Sequence, residues 1–278
     1  MKFGRFNVSS HNLGFLKLDG GSMFGAVPKN LWNKLIPADD QNRIRLAARS
    51  LVISDGQRKI LVDVGCGDKW DEKRAEIFAI ENFPESQWGF NPEEITDVIF
   101  THLHFDHAGG ISRWANQEGG DIKPCYPKAI AHITSANFAN AKHPNQREKA
   151  SYLPENVSAL EMMKEVNFTS GSQEIYPDLW VHQCDGHTIG QQWIEIKDGS
   201  KSIMFATDVV PTSKHLPVPF NMGYDIHAAL LMQEKDEFLK KAVDSESIVA
   251  FQHDPEISAA TITQDKRGHY CVKEVVEL

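Results

Sequence analysis

With 278 residues, 41% of them hydrophobic and 24% charged, the chain has the balance of a globular protein and the length to bury a large core. A formal net charge of −9 argues against nucleic acid as a partner, since polyanion binders display a basic footprint. No apolar run approaches the ~20 residues of a membrane span, so no membrane partner is expected either.

Met1 to Asn7 has no apolar stretch of the signal-peptide kind, and a cytoplasmic location is the expectation. Asp19 to Trp32 is Gly-rich and too irregular for a strand, yet carries the apolar set Met23, Phe24, Val27, Leu31 and Trp32. Leu46 to Ser54 and Lys59 to Val64 read as a hairpin about the Asp55-Gly56 turn. Asp71 to Asn82 reads as a helix with Ile77, Phe78 and Ile80 on its apolar side, and Asn91-Pro92 as a helix start. Asp97 to Phe100 is a short buried strand. Lys128 to Ile133 follows as a strand, Ser135 to Ala141 as a short helix, and Lys142 to Ser172 as a polar, partly helical stretch.

The second half repeats the mixture. Leu179 to His182, Gln192 to Ile196, Ser202 to Ala206 and Ser247 to Phe251 read as strands, and Tyr270 to Val276 as the closing edge of a sheet. Asp225 to Ala242 has Ile226, Ala229, Leu230, Phe238, Leu239 and Ala242 at near-helical spacing. Alternating strands and helices predict α/β layers. No linker, low-complexity tract or repeat divides them, so one domain over 1–278 is expected. Cys66, Cys125, Cys184 and Cys271 are scattered without a Cys-x-x-Cys pair and read as free thiols.

The chemistry concentrates in Thr101-His-Leu-His-Phe-Asp-His-Ala-Gly-Gly110, which sets three imidazoles and a carboxylate within six residues, just behind a buried strand. These are the donors that zinc and similar divalent metals take. Three later positions end apolar runs in the same way: His187 between glycines, Asp208 after Ile203 to Phe205, and His253 after Ile248 to Phe251. A Ser-His-Asp hydrolase is disfavoured, because the chain has no Gly-x-Ser-x-Gly elbow.

In this order, His-x-His-x-Asp-His, Gly-His, Asp and a last His, the chain resembles the metallo-β-lactamase-fold hydrolases. Within them it is most similar to the N-acyl homoserine lactone lactonases and methyl-parathion-type hydrolases, through Thr101 to Gly110, with its His104 to Ala108 core, and Asp19 to Trp32. The resemblance implies an αβ/βα four-layer sandwich and two divalent metal ions, Zn2+ by preference. It assigns His102, His104 and His187 to one ion, Asp106, His107 and His253 to the other, and Asp208 to both. It also implies a hydroxide between the metals as nucleophile, a proton carried to the leaving group by Asp106, and Asp63 as a support behind the metal loop.

The activity implied is opening of a lactone or other small ester, in the manner of quorum quenching. A phosphotriesterase or arylesterase on the same site is the alternative. An iron-dependent oxidoreductase is disfavoured because His104 stands where diiron relatives carry Glu. A homodimer is an option by resemblance alone. Met23 to Trp32 is either a loop tucked into the core, a dimer contact, or a wall for an acyl chain. One position departs from the pattern: Pro211 stands where the best-known lactonases have Tyr, and Tyr224 is the nearest phenol along that loop.

Overall fold

The structure, a computed structural model, describes residues 1–116 and 120–278. Its contacts divide the chain into two compact units, one of Met1–Phe15 and Ala48–Ser170, the other of Leu16–Ala47 and Gly171–Leu278.

The first unit is organised by a sheet whose strands run, in order, Lys2–Phe3, Phe6–Asp19, Arg43–Ser54, Lys59–Val62, Asp97–Ile99, Ile130–Thr134 and Glu165–Thr169. Residues 16–19 and 43–47 of the second and third strands count with the other unit. The expected hairpin forms, with Leu51 opposite Val62 and Ser54 opposite Lys59. From Lys59–Val62 onward the four strands are parallel neighbours. Parallel strands are covered on both faces and read as unbroken apolar runs. Ile60, Leu61, Val62, Val98 and Ile99 are accordingly buried. Leu61 and Val98 belong to a packed core that includes Val52, Phe100, Leu103, Ala131, Ile133 and Leu160.

Between these strands the sequence reading holds in part. The helix expected over 71–82 is shorter, Glu72–Phe78, capped where Asp71 accepts from the Arg74 amide. It stops at Ala79, whose φ of 44° is left-handed, and Glu81–Asn82 pairs as a strand with Phe15 and Gly14. Asn91 caps as expected, but Pro92–Glu94 is a single 3-10 turn. The polar stretch after Lys142 gives the helix Pro154–Glu161 and then the edge strand Glu165–Thr169.

The second unit contains a seven-stranded sheet in the order Ser172–Tyr176, Leu179–Cys184, Gln191–Asp198, Lys201–Phe205, Ile248–Ala250, Ala259–Gln264 and Tyr270–Val276. All neighbours are antiparallel except Lys201–Phe205 and Ile248–Ala250. A parallel pair needs a crossover, and the helix Ala228–Asp244 lies within it. That helix buries Leu231, Lys235, Phe238, Leu239 and Ala242, whereas Leu230 is exposed. Phe238, Leu239 and Ala242 are thus buried as expected, whereas Ala229 and Leu230 face outward and the N-terminal half of the helix buries Leu231 and Lys235 in their place.

This mixed α/β architecture with several sheets is the class expected. All four cysteines are free. Among the described residues no helix is long and apolar enough to cross a membrane.

Candidate metal centre

In the first unit, the candidate residues leave the carboxyl ends of two neighbouring parallel strands, where open sheets present functional loops. Asp63 follows Lys59–Val62 and is fully buried. Its Oδ1 accepts from the Thr101 amide at 2.8 Å and its Oδ2 from the Thr101 hydroxyl at 2.7 Å. His107 Nδ1 lies 2.9 Å from the same Oδ2. A carboxylate only accepts, so Nδ1 carries the ring proton and Nε2 keeps its lone pair. That Nε2 is 3.8 Å from Asp106 Oδ1.

Both residues sit on the short helix Phe105–Ala108. Gly109 and Gly110 then press it against the loop after Asp63. A Cβ on either would come within 2.0 Å of Cys66 O or 2.1 Å of Val64 O. Lys69 locks this approach from within, its buried ammonium donating to Gly109 O at 2.5 Å and Ser112 O at 2.7 Å. Burial pushes that ammonium down to about 8.

His102 and His104 also meet, Nε2 to Nδ1 at 3.0 Å. Tyr152 packs its ring edge-on to His104 with centroids 4.7 Å apart, and Glu148 Oε1 is 3.7 Å from His104 Nε2. The Tyr152 hydroxyl accepts from the Asn137 and Asn140 side-chain amides, and Asn137 Oδ1 accepts from the Leu103 amide. Nothing in the polar stretch carrying Glu148 and Tyr152 marked these residues in advance.

The second unit gathers His187, Asp208 and His253. Asp208 and His253 follow the two adjacent parallel strands, and His187 follows Leu179–Cys184. Thr207, just before Asp208, has a φ of 46°, a conformation a β-branched residue rarely adopts. His187 Nδ1 lies 2.9 Å from Asp225 Oδ1, and its Nε2 lies 3.2 Å from Asp208 Oδ2. His253 Nδ1 donates to Ala47 O at 2.8 Å, and its Nε2 lies 3.1 Å from Asp208 Oδ1.

Both rings therefore spend Nδ1–H elsewhere and turn Nε2 on the two oxygens of one carboxylate. A lone pair facing a carboxylate at such distances repels unless positive charge lies between them. Imidazole nitrogen and carboxylate oxygen are zinc donors, so this set fits a divalent metal. Within the first unit the ligand atoms of His102 and His104, and those of Asp106 and His107, lie within 4.8 Å of each other, as do those of His187 and Asp208 within the second.

Of the apolar set between Met23 and Trp32, the core reading holds for three residues. Met23, Phe24 and Trp32 are buried in the second unit, with Phe24 stacked between Trp32 and His215, whereas Val27 is half-buried and Leu31 is exposed. His215 is fully buried, and its Nε2 donates to Met23 O at 2.9 Å. Pro211 contributes its carbonyl, which accepts from the His253 amide at 2.9 Å. His132 pairs with Asp97, and His182 with Glu195, as structural histidines do.

A profile of the family described as the metallo-beta-lactamase superfamily matches residues 44–253. The chain belongs to that superfamily. An N-acyl homoserine lactonase from a Bacillus species is 30% identical over 173 residues, which is 60% of this chain and 59% of that protein. The chain thus spans about three-fifths of the length of the N-acyl homoserine lactonases it matches. A probable metal-dependent hydrolase from Staphylococcus aureus is 26% identical, with a TM-score of 0.86 over 99% of this chain and 100% of that one. AidC, a dizinc quorum-quenching lactonase, shares the metallo-beta-lactamase fold at 19% identity, with a TM-score of 0.79 over 100% of this chain and 97% of its own.

Proposed function

We propose that this chain is a metal-dependent hydrolase that opens lactone esters, and that N-acyl homoserine lactones are the substrates to try first. In this reading His102, His104 and His187 hold one divalent ion, Asp106, His107 and His253 hold a second, and Asp208 serves both. Zinc is the ion the donors favour. The observation that carries the reading is Asp208, with an imidazole lone pair at 3.2 Å from one oxygen and another at 3.1 Å from the other. The family match supports it and takes in parts of both units, which favours a single domain over 1–278. The name of the Bacillus relative supports the substrate class.

Divalent ions held by this set supply Lewis acidity and lower the pKa of water from ~15.7 toward ~7. Lactone opening adds water across the acyl C–O bond, with OH to the acyl carbon and a proton to the ring oxygen. Asp106 is the residue assigned to carry that proton, being the carboxylate of the His102–His107 cluster. Asp63 keeps the His107 proton on Nδ1 throughout, so that Nε2 stays available.

Metal analysis of the purified protein, coupled to hydrolysis of lactones, aryl esters and phosphotriesters, tests this. The expected result is about two ions per chain and the highest kcat/KM on lactones. Two ions with a preference for phosphotriesters would keep the site and overturn the substrate.

A further inference from the structure

We propose that Asp225 and Glu234 are positioning residues for His187, Asp225 fixing which ring nitrogen carries the proton and Glu234 fixing the backbone that carries the ring. The proposal rests on His187 being a metal ligand. Neither residue stands out in the sequence, and both come from one stretch that wraps the His187 loop.

The loop Asp185 to Gly190 leaves a strand end with backbone groups to satisfy, and residues 222–234 satisfy them in turn. Glu234 Oε1 accepts from the Asp185 amide at 2.8 Å and Oε2 from the Gly186 amide at 2.9 Å. The His227 amide donates to Gly186 O at 2.8 Å, and the Ile226 amide to His187 O at 3.0 Å. Asp225 then takes the side chain, with Oδ1 at 2.9 Å from His187 Nδ1 while Oδ2 accepts from the Met222 amide at 2.6 Å. The fit leaves no slack, because a Cβ on Gly186 would lie 2.4 Å from Leu231 Cα. Asp185 closes the loop on itself by accepting from the Gly190 amide at 2.7 Å.

The two carboxylates act differently. Asp225 is buried, and both of its oxygens face donors. An amide in its place cannot serve both. With its oxygen toward Met222, its NH2 faces His187 Nδ1, which drives the ring proton to Nε2 and removes the lone pair a metal needs. Glu234 never touches the ring. It is half-buried and borders a cavity of about 300 Å³ lined by Gln183, Cys184, Trp193 and Phe238. An amide there keeps one loop N–H and meets the other donor to donor, with room to turn away. The loop loosens while the tautomer survives.

The test uses Asp225→Asn, Glu234→Gln and, as a control, His187→Ala in the full chain. Zinc affinity is read by competition with a chromogenic chelator, together with the visible absorption of the cobalt-substituted protein and the melting temperature of the chelator-treated protein. Asp225→Asn is expected to weaken one of two zinc sites ~10–100-fold, the range for losing a partner behind a ligating histidine, and to shift the cobalt bands. Glu234→Gln is expected to weaken the same site less and to leave the band positions near wild type. Wild-type affinity and spectrum in Asp225→Asn, or a lower melting temperature with neither altered, would overturn the tautomer role; wild-type affinity in Glu234→Gln would overturn the backbone role. If Asp225→Asn does not fold, Asp225→Ala, which also removes the acceptor for His187 Nδ1, is read in its place against the same criteria. If His187→Ala still binds two zinc ions as tightly as wild type, the ligand reading itself fails. If that control loses an ion while both other variants behave as wild type, only this proposal fails.

Discussion

Asp63 Oδ2 and His107 Nδ1 lie 2.9 Å apart, and the same carboxylate also holds the amide and hydroxyl of Thr101. One side chain thus ties a candidate ligand to the end of the strand that launches it. Asp63 does so from a left-handed backbone, φ 55°, which costs about 1–3 kcal/mol where a non-glycine residue adopts it. Strain of this size persists where surrounding bonds over-determine it, and here three bonds to one carboxylate do so.

Asp63→Ala is therefore expected to lower metal affinity or kcat/KM by ~10–100-fold. Leaving the buried Thr101 amide unsatisfied should cost a further ~1–3 kcal/mol of stability. Asp208→Ala should cost far more activity, since two imidazoles lose their shared carboxylate. Steady-state kinetics of both variants, in protein saturated with zinc, decide it. Equal losses would mean that Asp208 is not the shared residue.

Metal should stabilise the fold in two steps. Seven candidate ligands exceed the four of one tetrahedral zinc. Chelator-stripped protein titrated with zinc is expected to take up two ions and to melt higher, by ~2.7 kcal/mol of added stability per site at a hundredfold excess over Kd. In His253→Ala the plateau should fall to one ion. A wild-type plateau at one ion, unchanged in His253→Ala, would refute the dinuclear assignment.

The candidate ligands were legible because metal chemistry uses few residue types and strand ends put them at predictable places. Their supports were not. Asp225 acts through a loop 38 residues from His187, and the Ala47 carbonyl that orients His253 has no side-chain signature at all. Packing hid elements in the same way. Phe6–Asp19 is a 14-residue strand, yet Ser9, Ser10, His11 and Asn12 break its apolar pattern, because pairing on the sheet rather than alternation holds it. Lys235 masked the buried face of the helix Ala228–Asp244 by burying its stem and giving its ammonium to Phe220 O at 2.7 Å.

His215 should make the fold acid-sensitive. Burial, aided by the charge of Lys235, pushes this imidazole from its usual 6.5 down to about 3. The folded chain keeps the ring neutral while the unfolded chain takes up a proton below pH 6.5. The stability His215 contributes is therefore complete above pH 6.5 and falls as pH drops toward 3, by up to ~1.4 kcal/mol per unit. His215→Gln lacks this titration. Denaturant unfolding of chelator-treated protein at pH 7.5, 6 and 5 should show wild type ahead at pH 7.5 and its lead shrinking at each lower pH. A lead that stays constant would rule out the linkage.

Phe24 and Trp32 are expected to matter for stability and not for choice of acyl chain. Their rings stack nearly parallel, 2° apart with centroids 5.6 Å from each other. Phe24 continues the stack onto His215 at 4.4 Å and meets Phe220 edge-on at 6.2 Å. Trp32 is 1% exposed and Phe24 0%, so neither offers a face to a substrate. Truncating a buried aromatic to Ala removes its transfer energy and leaves a cavity, together about 3–5 kcal/mol. That is a large share of the ~5–15 kcal/mol by which a domain is stable. Phe24→Ala and Trp32→Ala should each unfold at markedly lower denaturant concentration. At temperatures where they remain folded, the ratio of kcat/KM for octanoyl over butanoyl homoserine lactone should match wild type. A wild-type melting curve with a narrowed ratio would return these residues to the substrate pocket and show that the stack opens in solution.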